Sequence, residues 1–343
     1  MAECILRNGR VIKDYGEPYI IAEVNSSHNG DINEAKKMCE AAKDVGCDCV
    51  KFQSWSAKSV YSITHYEKNP MSKRFFDKFS LDEKKLDEVA KYCKGIGIDF
   101  ASTPYSNKEV DFLVDCCDVP FVKIASMELD NHQFLEYIGQ KGYPIILSTG
   151  MGSGAEIKKA IEILESTGNK NIAVLHCVSL YPTNTDDINL NNILGLRDMV
   201  CNHPIGFSDH TKGDECAVAS IAFGACIVEK HLTLDSSKIG MDNQMATEPN
   251  EFRELVRKCR GIQKSLGSFE RLVSQDEMKQ RAKMRRSIVT ARDMKAGDKI
   301  ELEHLCAKRP GNGISPSQMN NIIGKRLIKD INADTPIFWS DLT

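Results

Sequence analysis

Three stretches decide how this chain is read: Pro18-Tyr-Ile-Ile-Ala-Glu-Val24, the segment from Asp31 to Gly46, and Cys49-Val-Lys-Phe-Gln53. The first and third are short apolar runs, as expected of strands buried on both faces. The middle one has a helical pattern. Asp31 is a candidate N-cap, Glu34 follows three residues later, and Gly46 is a stop signal. Together they make one strand–helix–strand unit.

The same alternation continues along the chain. Ile98-Asp-Phe-Ala-Ser-Thr103, Phe121-Val-Lys-Ile-Ala125, Pro144-Ile-Ile-Leu-Ser-Thr-Gly150, Ile172-Ala-Val-Leu-His-Cys-Val178, Pro204-Ile-Gly-Phe-Ser208 and Cys226-Ile-Val-Glu-Lys-His-Leu232 read as further strands, each followed by a helical pattern. One of those helices is expected to start at Ser80, with Glu83 completing a capping box. Residues 18–266 thus hold eight strand–helix units in 249 residues. That is the (β/α)8 signature. A doubly wound open sheet would need a glycine-rich fingerprint after the first strand, and Asn25-Ser-Ser-His-Asn-Gly30 supplies none. The expected organisation is an α/β TIM barrel over 1–266, a charged helical linker over 267–286 and a small, mostly β module over 287–343. Fewer than 60 residues form a marginal core alone, so the module should pack against a barrel, its own or a partner's.

The connection from Trp55 to Ser80 is 26 residues long and holds six aromatics. It reads either as a lid or as a loop packed on a neighbouring helix or subunit.

Composition narrows the function classes. Lys+Arg total 45 against 48 Asp+Glu, a net charge of -3, so no basic excess argues for nucleic acid or an anionic membrane. There is no apolar run of membrane-spanning length and no signal-peptide pattern at the N-terminus. The 13 cysteines include no Cys-x-x-Cys pair, and read as free thiols of a reducing cytoplasm.

In a barrel of this type the site lies at the C-terminal ends of the strands. These ends present Glu23, then Lys51 and Gln53, then Ser102 and Thr103. Next come Lys123, Ser126 and Glu128, then Ser148 and Thr149, then His176, Ser179 and Tyr181. The last two present Ser208, Asp209 and His210, and Glu229, Lys230 and His231. Polar groups are costly to bury inside parallel strands, and so many at one end point to an enzyme. Lys51 and Lys123, near hydroxyls, suit phosphate plus carboxylate, or else one lysine forms a Schiff base. His210 and His231, on adjacent strands, could bind a divalent metal, with Glu229 or water completing the shell, or simply be hydrogen-bonded.

These residues resemble the sialic acid synthases, or nonulosonate synthases. The resemblance rests on Ala22-Glu-Val with His28-Asn-Gly, Val50-Lys-Phe-Gln, Ser102-Thr-Pro, Val122-Lys-Ile-Ala-Ser, Leu147-Ser-Thr-Gly-Met, Tyr181-Pro-Thr, Gly206-Phe-Ser-Asp-His-Thr and Val228-Glu-Lys-His-Leu-Thr-Leu-Asp. Lys308-Arg-Pro-Gly-Asn-Gly-Ile-Ser-Pro looks like the mark of the family's antifreeze-like (SAF) domain. The resemblance implies condensation of phosphoenolpyruvate with an N-acylated hexosamine. It assigns Lys51, Thr103, Lys123, Ser126 and Ser208 to phosphoenolpyruvate. It assigns His210 and His231 to a divalent ion, manganese by default, with magnesium or cobalt as alternatives. Glu23, Gln53, Glu128, Ser179, Tyr181 and Asp242 fall around the ion and the sugar. Arg309 would meet the acyl group from the second subunit of a domain-swapped homodimer.

The chain departs from the commoner family pattern at Asn25-Ser-Ser, at Ser179 and over Gly240-Met-Asp-Asn-Gln-Met-Ala-Thr-Glu-Pro249. All three lie on the expected sugar side. N-acetylmannosamine is therefore the default, and a 2,4-diacetamido-6-deoxy hexose is a rival substrate. Two other classes compete: a Schiff-base pyruvate aldolase, and a non-catalytic carbohydrate-binding protein.

Overall fold

The computed structural model describes residues 2–343. The chain divides into two units, the first ending at Gly267 and the second spanning Ser268–Thr343.

The first unit begins with a hairpin of β1 (Glu3–Ile5) and β2 (Val11–Lys13), which the apolar-run reading did not separate from the rest. Strands β3 (Tyr19–Glu23), β4 (Cys49–Gln53), β5 (Asp99–Thr103), β6 (Val122–Ile124), β7 (Ile145–Ser148), β8 (Ile172–Cys177), β9 (Ile205–Asp209) and β10 (Ile227–His231) follow. Their parallel ladders run in the order β5-β4-β3-β10-β9-β8-β7-β6, and β5 packs beside β6 to close the barrel. The fold is the expected TIM barrel.

Helices alternate with the strands: α1 (Ile32–Asp44), α2 (Ile63–Lys68), α3 (Pro70–Phe79), α4 (Glu83–Ile96), α5 (Asn107–Asp115), α6 (His132–Gln140), α7 (Gly154–Ser166), α8 (Asn192–Met199), α9 (Glu215–Ala222) and α10 (Pro249–Leu266). Asp31 caps α1, its carboxylate accepting from the Asn33 and Glu34 amides. One cap differs from the expectation. Ser80 ends α3, with its N–H on the Phe76 carbonyl, and Asp82 caps α4 by accepting from the Lys85 amide at 2.9 Å. The long connection is not structureless either. It folds as α2 and α3 around a small core of Trp55, Tyr66, Phe76 and Phe79. No helix among the described residues is long and apolar enough to cross a membrane.

Strand alternation organises the barrel interior. Tyr19, Ile21, Cys49, Ala101, Phe121, Ile146, Leu175 and Ile227 form one buried cluster with Cys4, Leu6 and Ile12 of the hairpin segment. Side chains of the other phase, such as Ile20, Val50, Phe52 and Val228, pack with the helices. Two residues further along the inward phase, the apolar cluster gives way to Glu23, Lys51, Thr103, Lys123, Ser148, Cys177 and Glu229. Gly206 shows how tight the interior is: a Cβ there would stand 2.6 Å from a Leu175 methyl and 2.7 Å from the Ile227 Cβ.

The second unit holds α11 (Gln275–Met284), an antiparallel pair of β11 (Ser287–Thr290) and β12 (Leu305–Lys308), and the short α12 (Met319–Ile322). No residue of α11 is buried, in keeping with its charged sequence. Ile288, Met294, Ile300, Ile314, Ile322, Leu327 and Ile337 form this unit's core.

Candidate active site

Strand register sets the site. His231 pairs with Glu23, Glu23 with Lys51, and Gln53 with Thr103, while Glu229 pairs with Ser208 and Ser208 with Cys177. Their inward side chains therefore meet at one end of the barrel. They line a cavity of about 350 Å3, a size suited to small molecules. Glu23, Lys51, Gln53, Thr103, Lys123, Ser126, Ser179, Tyr181, Ser208, His210, His231 and Asp242 all face it, as expected.

One residue expected at the barrel's own site does not line the cavity. Glu128 is buried in the short turn after β6, where its carboxylate accepts from the Asn131 amide at 2.7 Å. Arg309 is exposed in the second unit. Other strand-end polar groups are satisfied away from the cavity. Asp209 and Lys230 have the opposite phase to His210 and His231, and pair with each other at 2.7 Å. The Ser102 hydroxyl bonds Ser54 at 2.6 Å, and His176 bonds the Ile188 carbonyl at 2.7 Å. Asn25, Tyr105 and Cys177 line the cavity without having been singled out, and Ser148 and Glu229 line it from among the strand-end polar groups without having been given a role toward the lysines. The inward phase of β7, β8 and β10 would have identified Ser148, Cys177 and Glu229. No periodic signal marks Asn25 or Tyr105, which lie beyond strand ends.

The floor is a buried charge network. Lys51 donates to Glu23 and, at 3.3 Å, to Thr103; Lys123 donates to the Ser148 hydroxyl at 2.8 Å. Glu229 lies 3.6 Å from Lys51 and 3.5 Å from Lys123, and accepts from Ser208 at 3.0 Å. Burial opposes the Glu229 charge, but the two lysines and Ser208 hold its pKa down to about 2. Burial likewise works against Lys51, yet Glu229 and Glu23 lift it above the ordinary lysine value. Lys123 is pulled below that value by burial, with Glu229 opposing and Lys51 adding to the effect. Glu23 is raised above the usual carboxylate range by burial, against the pull of Lys51.

One wall carries the imidazoles. The His210 and His231 rings lie 5.4 Å apart, and Tyr181 stacks 4.2 Å from His210. The His210 Nδ1 donates to the Val178 carbonyl at 2.8 Å, which leaves Nε2 as its lone-pair nitrogen. Burial, with Lys51 adding to it, pulls the His231 pKa well below the ordinary imidazole value, and its Nδ1 lies 4.0 Å from Asp242. Two imidazoles, one oriented by a backbone carbonyl, beside a carboxylate are a donor set that fits a borderline divalent ion. The mouth is apolar: Trp55, Tyr61 and Phe76 come from the α2–α3 region, joined by Met127, Met151 and Met241.

Known proteins resemble this chain in sequence and in fold. The NeuB family model matches residues 38–271, and the SAF domain model matches 285–343. The chain is 36% identical over 337 residues to the N,N'-diacetyllegionaminic acid synthase of Legionella pneumophila, covering 94% of each. It is 33% identical to the N-acetylneuraminate-9-phosphate synthase of mouse, over 93% of this chain and 91% of that one. The sialic acid synthetase of Leptospira borgpetersenii, solved with citrate, superposes with a TM-score of 0.75 at 31% identity, over 81% of this chain and 94% of its own.

Proposed function

The chain belongs to the NeuB family of synthases, and on that premise we propose that it condenses phosphoenolpyruvate with an N-acylated hexosamine to give a nine-carbon sialic-acid-type sugar and phosphate. The observation that carries this reading is the floor of the cavity. Two buried ammonium groups, bonded to the Thr103 and Ser148 hydroxyls, with Ser208 on the Glu229 carboxylate that both approach, suit a ligand carrying both phosphate and carboxylate.

In the proposed reaction, Lys51 and Lys123 neutralise phosphoenolpyruvate so that its enol carbon can approach an aldehyde. The nucleophilic carbon forms a bond to C1 of the open-chain sugar, and the former enol carbon becomes an oxocarbenium centre. Water adds to that centre, and phosphate departs with its bridging oxygen by C–O cleavage. Glu23, hydrogen-bonded to Lys51 and Gln53, is raised above the usual carboxylate range by burial, and it orients the sugar or moves a proton. His210 and His231, with Asp242 beside them, would hold a divalent ion, manganese by default. When bound, such an ion supplies Lewis acidity toward the sugar carbonyl.

N-acetylmannosamine is the default sugar. A specific observation favours the second reading, a 2,4-diacetamido-6-deoxy hexose. Met127, Met151 and Met241 stand at the mouth with Trp55, Tyr61 and Phe76, and a sugar without a 6-hydroxyl gains from apolar contact. The proposal includes a cytoplasmic location, in keeping with 13 free cysteines, and a homodimer in which Arg309 serves the partner's site.

The test is phosphate release from phosphoenolpyruvate in the presence of manganese and each of the two sugars. Release with one of them, abolished by EDTA and restored by added metal, is expected. Turnover that survives exhaustive EDTA, together with a borohydride-trapped adduct at Lys51 or Lys123, would overturn it in favour of a Schiff-base aldolase.

A further inference from the structure

Four residues far apart in sequence close one side of the cavity. The Asn25 side-chain amide donates to the Asp242 carboxylate across 217 positions of chain, and the Met241 amide donates to the Ser26 hydroxyl at 3.3 Å. The Asn25 backbone N–H donates to Glu23 Oε1 at 2.9 Å. We propose that these contacts form a latch between the loop after β3 and the loop after β10, and that Asn25 is a positioning residue that sets specificity for the amino sugar. The proposal rests on the synthase reading above.

Backbone geometry supports a role beyond loop formation. Asn25 has φ +33°, in the left-handed region where glycine is the unstrained choice and asparagine is tolerated. A side chain kept at such a position should have a use. Its side-chain amide and its backbone N–H both bond groups that line the cavity. The carboxylate it holds lies 4.0 Å from His231, and the adjacent Met241 forms part of the mouth. Asn25 is 3% exposed, and its Oδ1 is buried without a hydrogen-bond partner among the described residues, which is not an arrangement that stability alone favours. Both loops also fall where the chain departs from the commoner family pattern, so the two departures are physically joined. The latch orients Asp242 and Met241 toward the sugar; its one bond to the floor network, from the Asn25 backbone N–H to Glu23, does not depend on the Asn25 side chain.

The test uses the full chain with manganese, phosphoenolpyruvate, and N-acetylmannosamine or 2,4-diacetamido-2,4,6-trideoxymannose. Asn25→Gly removes the side chain and suits the backbone. The latch predicts a rise of about tenfold or more in the KM of whichever sugar is turned over, with the KM of phosphoenolpyruvate within about twofold. It also predicts faster amide hydrogen exchange across residues 240–245, with the melting temperature nearly unchanged. An unchanged sugar KM, or equal rises in both KM values with a lowered melting temperature, overturns the proposal. Wild-type protein that releases no phosphate with either sugar contradicts the synthase reading instead. Exchange then decides the latch alone, and identical rates across 240–245 in wild type and variant overturn it.

Discussion

A buried ammonium group persists only where a counter-charge and hydrogen bonds replace water. Lys51 meets that condition through Glu23 and Glu229, and Lys123 through Glu229, which lies within 3.6 Å of both. Glu229 was visible in the sequence as a strand-end polar group and a candidate for the histidines' metal shell, not as the counter-charge of the lysines. Its phase would have separated it from Lys230, because alternate residues of a barrel strand face the interior and the helices in turn. Lys51, Lys123, His210 and His231 were legible by type and position alone. Asn25 was not, since neither turn chemistry nor periodicity predicts a bond to a residue 217 positions away. A second buried titrating group lies outside the charge network. His28 stacks 5.7 Å from Phe52, and burial lowers its pKa from 6.5 to about 4. In the folded protein it stays neutral down to about pH 4, whereas the unfolded chain takes up a proton below about pH 6.5. Its effect on stability is therefore absent above pH 6.5 and grows as the pH falls. Between about pH 7.5 and about pH 5 the wild type should lose about 2 kcal/mol more than His28→Gln, as urea unfolding at the two pH values would measure. Equal losses would show that His28 titrates normally.

At the scale of elements, the eight strands were legible because each is a buried apolar run with a helix after it. The hairpin of β1 and β2 was missed because each strand has only three residues, too few to show a period. The 26-residue connection was read correctly as aromatic but not as two helices. Neither α2 nor α3 exceeds ten residues, and their order comes from packing around Trp55 and Phe76 rather than from helix propensity. That packing reaches the floor of the site. The Trp55 indole donates to Gln53 Oε1 at 2.9 Å, Tyr105 donates to the same oxygen at 3.0 Å, and Gln53 donates to Glu23 at 3.2 Å. The aromatic segment therefore helps to hold the Glu23 carboxylate. Trp55→Phe keeps most of the ring and deletes one donor, so kcat should fall several-fold, equivalent to about 1 kcal/mol, while the melting temperature stays close to wild type. A kcat equal to wild type in steady-state assays would show that the segment only covers the site.

For the whole molecule, the sequence gives a barrel followed by a small module, and comparison with family models places NeuB over 38–271 and SAF over 285–343. What a single chain does not hold is the proposed contribution of Arg309 to the partner's site. Mixing tests it. Lys51→Ala and Arg309→Ala proteins, assayed alone at low sugar, should be nearly inactive. Unfolded and refolded together, they should recover about a quarter of wild-type activity, because half of randomly paired dimers are mixed and each mixed dimer has one intact site. No recovery would mean that Arg309 serves its own barrel or none. The proposed condensation breaks the C–O bond of phosphoenolpyruvate on a barrel floor of two lysines. One measurement addresses it most directly: turnover of phosphoenolpyruvate carrying 18O in the bridging position, with the accepted sugar, followed by mass spectrometry of both products. The account predicts labelled phosphate and an unlabelled nine-carbon acid. Unlabelled phosphate, or labelled pyruvate with no new acid, would contradict it.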